Sequence, residues 1–446
     1  MFLELREALE SLLKIRLERG KWVDSEPEVG LLKTLEALSC FSSPAFYYEK
    51  LKLLDRKFEL VKIPENVLME DIEDILEKIK KYGYPPSPYL DSEFEEIGVE
   101  YKPGETDFTD TVSFLLTTLL DLHEYFEVVY KKECPMAKSM NEEIVNAFEW
   151  LKNNAVEENG KIYWLWGVKD KIENVPSVYF TWSAVVALAY LYQNEHSPIS
   201  EAQKREIREL LEKVKKWIIE SLQPDTRYPD IRLTVNYPRV EDAESGRREA
   251  LFIYITNIID WLEELQIEFD TETMVKILDT FLDIYKRREM WRFEAGDHVV
   301  LVPTRDGGIK LIEYEDRAYE YLLLTVLAYF YARVHGKKIP IDKEKIELLK
   351  EFTNFAKDKM LEERDPVIKL WKKGGFLIYQ TQRAIEAMVA WLRYVQPFLG
   401  IELSMEEIVK LAVDNALDEL RMVLTEKIYK NIQVLMTTQK VKWEEK

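Results

Sequence analysis

The stretch VYFTWSAVVALAYLY at residues 178–192 is apolar on nearly every side of a helix, and small residues at Ser183, Ala184, Ala187 and Ala189 allow close approach of neighbours. A helix with no polar face must be surrounded by other elements. Four further segments share this character: Asp110 to Val129 (DTVSFLLTTLLDLHEYFEVV), Glu249 to Leu262 (EALFIYITNIIDWL), Tyr314 to Arg333 and Phe376 to Tyr394. Between them lie segments of a second kind, amphipathic and highly charged: Met69 to Tyr82, Glu142 to Asn154, Ser200 to Leu222, Thr271 to Arg288 and Lys343 to Met360. Their apolar residues recur at i, i+3 and i+4, the mark of a helix with one solvated face.

The buried segments begin near 108, 178, 247, 314 and 377, a step of about 65 to 70 residues that reads as a repeated hairpin of outer and inner helix. Met1 to Leu17 with Pro27 to Phe41 completes six hairpins, and Met405 to Leu435 supplies a closing helix. The expected fold is therefore all-α, an (α/α)6 toroid formed as a single domain over residues 1–446, with a closing helix at 404–436 and a tail at 437–446. An open α-solenoid would show the same hairpins but would leave a concave groove. Inner helices without a polar face favour closure. Lys161 to Trp166 reads as a β-hairpin, as does His298 to Pro303 joined through Asp306-Gly307-Gly308 to Ile309 to Tyr314.

The pattern resembles the ring of helical hairpins shared by terpenoid cyclases, protein prenyltransferase β subunits and many glycoside hydrolases. A local echo is Val145 to Gly167 followed by Ser177 to Tyr192, where a helix ending in Trp150-Leu151 passes through a Gly-bearing turn to a Thr-led, Ala-rich inner helix. The resemblance implies the architecture and stops at the chemistry. Val240-Glu241-Asp242-Ala243-Glu244 lacks the DxDD acid of class II cyclases, and Glu313 to Arg317 lacks the DDxxD spacing of class I synthases. Neither Cys40 nor Cys134 has the setting of a prenyltransferase zinc ligand. A terpenoid cyclase-like activity is accordingly the weakest expectation.

Composition narrows the function further. With 47% hydrophobic and 12% aromatic residues, 15 Gly and 17 Pro, the chain has the material for a large core. Its 82 acidic and 62 basic residues leave a net charge of -20, a field that repels nucleic-acid tracts and anionic membrane surfaces. The two cysteines and four histidines form no CxxC or HExxH pair, so no metal site is expected. Lys372 to Gly375 and Asp306 to Gly308 lack phosphate-loop spacing, and no cofactor signature is present. The apolar stretches fall short of the roughly 20 residues of a membrane span, and the N-terminus alternates charge with Leu instead of reading as a leader. A cytoplasmic location is expected, and the Glu/Lys-rich composition suits a thermophilic source.

In a toroid the inner helices start at a common rim, so residues near their first turns converge. The candidates are Asp107 and Asp110; Trp164, Trp166, Tyr179 and Trp182; Arg247, Arg248 and Glu249; Glu315, Asp316 and Arg317; and Trp371, Tyr379, Gln380 and Arg383. Glu249, Glu315, Asp316 and Asp110 are the candidate acids and bases, and the aromatic, Arg and Gln residues the candidate ligand contacts, with Trp166, Trp182 and Trp371 as the platform. Rings beside paired carboxylates suit a sugar, because a ring packs on a sugar face while two carboxyls supply acid and base. Acids at helix starts also serve as caps. Pro238 to Glu249 is the densest mixed-charge stretch before an inner helix and the leading candidate for a functional loop. His298, next to Asp297, is a possible proton-transfer pair, and Cys134, near Lys131 and Lys132, a possible reactive thiol. Two functions remain open: a cavity for a polar, sugar-like small molecule, or a non-catalytic scaffold that binds a partner protein.

Overall fold

The computed structural model describes residues 1–22, 31–56, 58–83, 109–165, 176–235, 247–287, 296–303, 309–316, 318–371 and 377–398, and only the backbone at 82, 247–251, 296–303, 309–316 and 318–319. Among these, the charged amphipathic segments form one set of helices: α1 (Phe2–Arg19), α4 (Glu65–Tyr82), α6 (Ala137–Asn154), α8 (Glu201–Ser221), α10 (Thr271–Lys286) and α12 (Lys343–Glu362). The apolar segments form the other: α2 (Leu31–Phe46), α5 (Thr109–Tyr125), α7 (Val178–Gln193), α9 (Arg247–Glu264), α11 (Ala318–His335) and α13 (Leu377–Tyr394). A short α3 (Tyr48–Leu54) follows α2. Local chemistry sets several starts: the Ser200 and Gln203 side chains form a capping box on α8, and Asp270 and Asp342 cap α10 and α12.

The inner helices pack in sequence order, α2 on α5, α5 on α7, α7 on α9, α9 on α11 and α11 on α13. The ring then closes, because α13 packs on α2. Gln382 of α13 donates to the Ser39 hydroxyl of α2 at 3.2 Å across this seam. Outside it, Arg364 pairs with Glu7 of α1 at 3.0 Å. The protein is therefore a closed (α/α)6 toroid rather than an open solenoid. Closure explains the all-round apolarity: an inner helix meets two inner neighbours and an outer helix, and each contact removes apolar surface from water.

Among the described residues, three two-stranded hairpins decorate the loops. In the first, β1 (Val156–Glu158) pairs with β2 (Lys161–Tyr163). The connecting Asn159 and Gly160 have φ of 54° and 75°, the left-handed pair that a two-residue turn requires. This hairpin starts upstream of the expected Lys161 to Trp166. The second, β3 (Leu222–Pro224) with β4 (Leu233–Val235), was not expected. In the third, β5 (Gly296–Pro303) pairs with β6 (Ile309–Asp316), with His298 opposite Tyr314. Strand β6 reaches Asp316, so Glu315 and Asp316 lie on a strand instead of opening an inner helix, and α11 starts at Ala318. The expected closing helix, Met405 to Leu435, lies outside the described residues.

Candidate functional site

The ring encloses a lumen of about 920 Å³, counting its open mouth. Its wall is built from polar stripes that the inner helices carry on otherwise apolar surfaces. On α9 the stripe is Asn257, Asp260, Trp261 and Glu264; on α5 it is Ser113, Thr117 and Asp121; on α13 it is Gln382, Arg383, Glu386 and Arg393. Asn257, Asp260 and Glu264, Ser113, Thr117 and Asp121, and Gln382 and Glu386 follow one another at three- and four-residue steps, and Arg393 stands seven beyond Glu386, spacings that keep each set on one helix face. These polar residues lie among Phe114, Trp182, Val186, Leu322, Val389 and Ala390, so the inner helices are apolar toward the protein and carry a few polar residues on a largely apolar face toward the axis.

In the half of the lumen nearer the inner-helix N-termini, the Arg383 guanidinium lies among rings, 5.1 Å from Phe114, 4.7 Å from Trp182 and 5.0 Å from Tyr379. Cations favour the negative faces of aromatic rings. Arg383 Nη1 pairs with Glu386 at 2.6 Å. Trp182 donates its indole N–H to Asn257 at 2.7 Å, and its ring packs 5.0 Å from Tyr254 and 5.6 Å from Tyr179. Near Arg383, burial pushes the Asp110 carboxyl up to about 6.

Toward the other end, Arg393 pairs with Glu264 and stacks over Tyr47 and Tyr394 at 4.6 and 4.5 Å. The Tyr394 hydroxyl reaches both Glu264 and Asp260, the latter at 3.3 Å. The two carboxyl groups therefore lie within about 6 Å of each other. Burial and the neighbouring Glu264 charge hold the Asp260 carboxyl well above the usual range, beside the Glu264 side chain that pairs with Arg393. Burial likewise holds Asp121 well above that range.

The rim candidates divide. Asp110, Tyr179, Trp182 and Tyr379 come together around the Arg383 guanidinium, and of these five Trp182 and Arg383 line the lumen. Trp164 and Trp371 do not join them: both are fully buried and neither lines the lumen. Trp164 donates its indole N–H to Leu151 at 2.8 Å and Trp371 donates to Met360 at 2.6 Å, each a carbonyl in the last turn of an outer helix. Their backbone N–H groups donate to Thr181 and Thr381, at 2.9 and 3.2 Å. These two Trp residues cap outer helices instead of forming a ligand platform, since a buried carbonyl without a donor is costly. Gln380 is fully buried and also off the lumen wall. Asp107, Trp166, Arg317 and residues 238–246 lie outside the described residues. Arg247, Arg248 and Glu249 open α9, and Glu315 and Asp316 end β6, each described in backbone alone.

Among the other singled-out residues, Cys134 is buried with its sulfur 3.4 Å from that of Met140, and burial raises its thiol, which opposes the reactive reading. His335 Nδ1–H donates to the Tyr331 carbonyl, 2.8 Å away, at the end of α11. His196 meets Glu124 and Glu127, both at 3.2 Å. Among the described residues no cluster of His, Cys, Asp and Glu is arranged to hold a metal, and no helix is long and apolar enough to cross a membrane.

No family model matches the chain, and no curated protein matches it in sequence. Solved structures do resemble it. Cellobiose 2-epimerase from Bacillus thermoamylovorans B4167 superposes with a TM-score of 0.50 at 13% identity, over 87% of this chain and 98% of that one. A GH76 α-mannanase of Bacteroides thetaiotaomicron gives a TM-score of 0.43 at 11% identity, over 82% and 86%. At such identity the epimerase likeness concerns the fold, and it agrees with the closed six-hairpin ring.

Proposed function

We propose that the lumen binds a polar, sugar-like molecule and that its carboxyl groups carry out proton transfer on it. The observation that carries this reading is the arrangement around Tyr394: Asp260, its carboxyl held well above the usual range by burial, and a guanidinium-paired Glu264 are within reach of one phenol on the lumen wall. A carboxyl with a raised pKa beside a second carboxyl is the equipment of general acid–base catalysis. The Trp182, Trp261 and Phe114 rings on the lumen wall supply apolar faces for a sugar ring, and the polar side chains among them supply partners for hydroxyls. The fold is one that cellobiose 2-epimerase, a sugar-acting enzyme by its name, also uses.

The reading is tested by incubating the protein with a panel of mono- and disaccharides in D2O and following them by 1H NMR. Turnover or C–H exchange with one class of sugar, lost in a folded Asp260→Asn variant, supports it. If the wild-type protein neither binds nor alters any saccharide, the reading is overturned, and recovery of a stable protein complex would then favour the scaffold.

A further inference from the structure

The lumen wall holds polar atoms that its own hydrogen bonds leave over, and their kinds specify a ligand class. Arg383 has a side chain that is 5% exposed. Its Nη1 serves Glu386, while Nε and Nη2, which form one edge of the fork, have no partner. Gln382 donates through Nε2 to Ser39 and Glu386, and its Oε1 is left without a donor. Asp121, 2% exposed, leaves Oδ1 without a donor in the same wall. Two donors on one edge match two neighbouring oxygens. A ligand that only accepts would satisfy Arg383 and leave the Gln382 and Asp121 oxygens stranded, whereas hydroxyl groups both donate and accept.

Charge selects further. Among the described lumen residues the guanidinium groups of Arg383 and Arg393 are each paired, with Glu386 and Glu264. An anionic ligand would add an uncompensated charge to an enclosed site, and burying an unpaired charge is strongly disfavoured. We infer that Arg383 is a specificity residue whose Nε–Nη2 edge takes two adjacent hydroxyl oxygens of a neutral sugar, and that the lumen rejects sugar acids and sugar phosphates. This rests on the proposed sugar-binding lumen and adds the charge class of the ligand and the residue that reads it.

The experiment is a titration of 15N-arginine-labelled protein, following the Arg383 Nε–H resonance identified by its absence in Arg383→Lys. Glucose and cellobiose are compared with glucuronate and glucose 6-phosphate. The variant keeps the charge facing Glu386 but loses the fork, and its melting curve reports whether it folds. The expected result is a saturable shift of the Nε–H resonance with a neutral sugar, little or none with the anions, and roughly ten- to hundredfold weaker neutral-sugar binding in a folded Arg383→Lys protein. Tighter binding of either anion would overturn this inference and leave the sugar-binding lumen standing. Neutral-sugar binding that leaves the Arg383 resonance unmoved would overturn the role of Arg383 alone. If no saccharide binds the wild-type protein, the lumen reading falls and this inference with it. Should Arg383→Lys not fold, the ranking of the four sugars on the wild-type protein still decides the outcome.

Discussion

The Trp164 indole N–H donates to the Leu151 carbonyl at 2.8 Å, closing the last turn of α6 from the loop that leads into α7. Trp371 does the same for Met360 of α12, and in both cases a threonine in the first turn of the next inner helix accepts from the tryptophan backbone. One device thus joins outer helix, loop and inner helix in two hairpins of the ring.

Replacing Trp164 by Phe keeps most of the buried ring and removes one of the two donors to the Leu151 carbonyl, which retains the Ala155 N–H at 3.1 Å. The expected loss is about 0.5–1.5 kcal/mol of stability, read as a lower denaturation midpoint, with saccharide binding unchanged. A variant as stable as the parent would contradict the capping role.

Arg393 and Glu264 pair in the lumen with side chains that are each 16% exposed. Arg393→Met removes the cation and leaves the carboxylate enclosed, at an expected cost of about 3–5 kcal/mol. The double variant with Glu264→Gln should recover part of that loss. Chemical denaturation of the four proteins of the cycle measures the coupling, and additive effects would show that the pair contributes nothing specific.

Burial raises Asp110 to about 6 in the folded protein, above its value in the unfolded chain. Below about pH 4 both states hold the proton and folding carries no penalty. As pH rises toward 6 the unfolded chain ionises first, so stability is lost across that window, by about 2–3 kcal/mol. Asp110→Asn should abolish this part of the slope in melting curves recorded from pH 4 to 7. An unchanged slope would refute it.

His123 has the opposite sign. Burial, and then the adjacent His196, lower it to about 4, below the unfolded value of about 6.5. Its contribution is present above pH 6.5 and is lost as pH falls toward 4, because the unfolded chain takes up the proton first. His123→Gln should flatten the acid limb of the melting profile, and a steeper limb would contradict the assignment.

The hairpin order was legible in the sequence because burial acts on whole helices: 178–192 and 249–262 carry too few polar residues to form the broad solvated face of an outer helix. The site was less legible. Asn257, Asp260 and Glu264 stand at three- and four-residue steps, as do Ser113, Thr117 and Asp121, so the stripe was present in the text. A few polar residues on an apolar helix do not reveal which side faces the ring axis, and the helix starts carry the denser charge. Trp164 and Trp371 were misplaced for a related reason. An aromatic residue just before an inner helix can face the lumen or turn back onto an outer helix, and only the Leu151 and Met360 carbonyls, brought near by the hairpin, decide between them.

Isothermal titration of the protein and its Trp182→Ala variant with the best-bound saccharide from the panel is the decisive comparison for a sugar site inside the ring. Trp182 lines the lumen and flanks both Arg383 and Tyr254. The account predicts one site per chain in the parent, weakened at least about tenfold in a folded Trp182→Ala protein. Equal affinity in the two proteins would place any sugar outside the lumen and contradict the account.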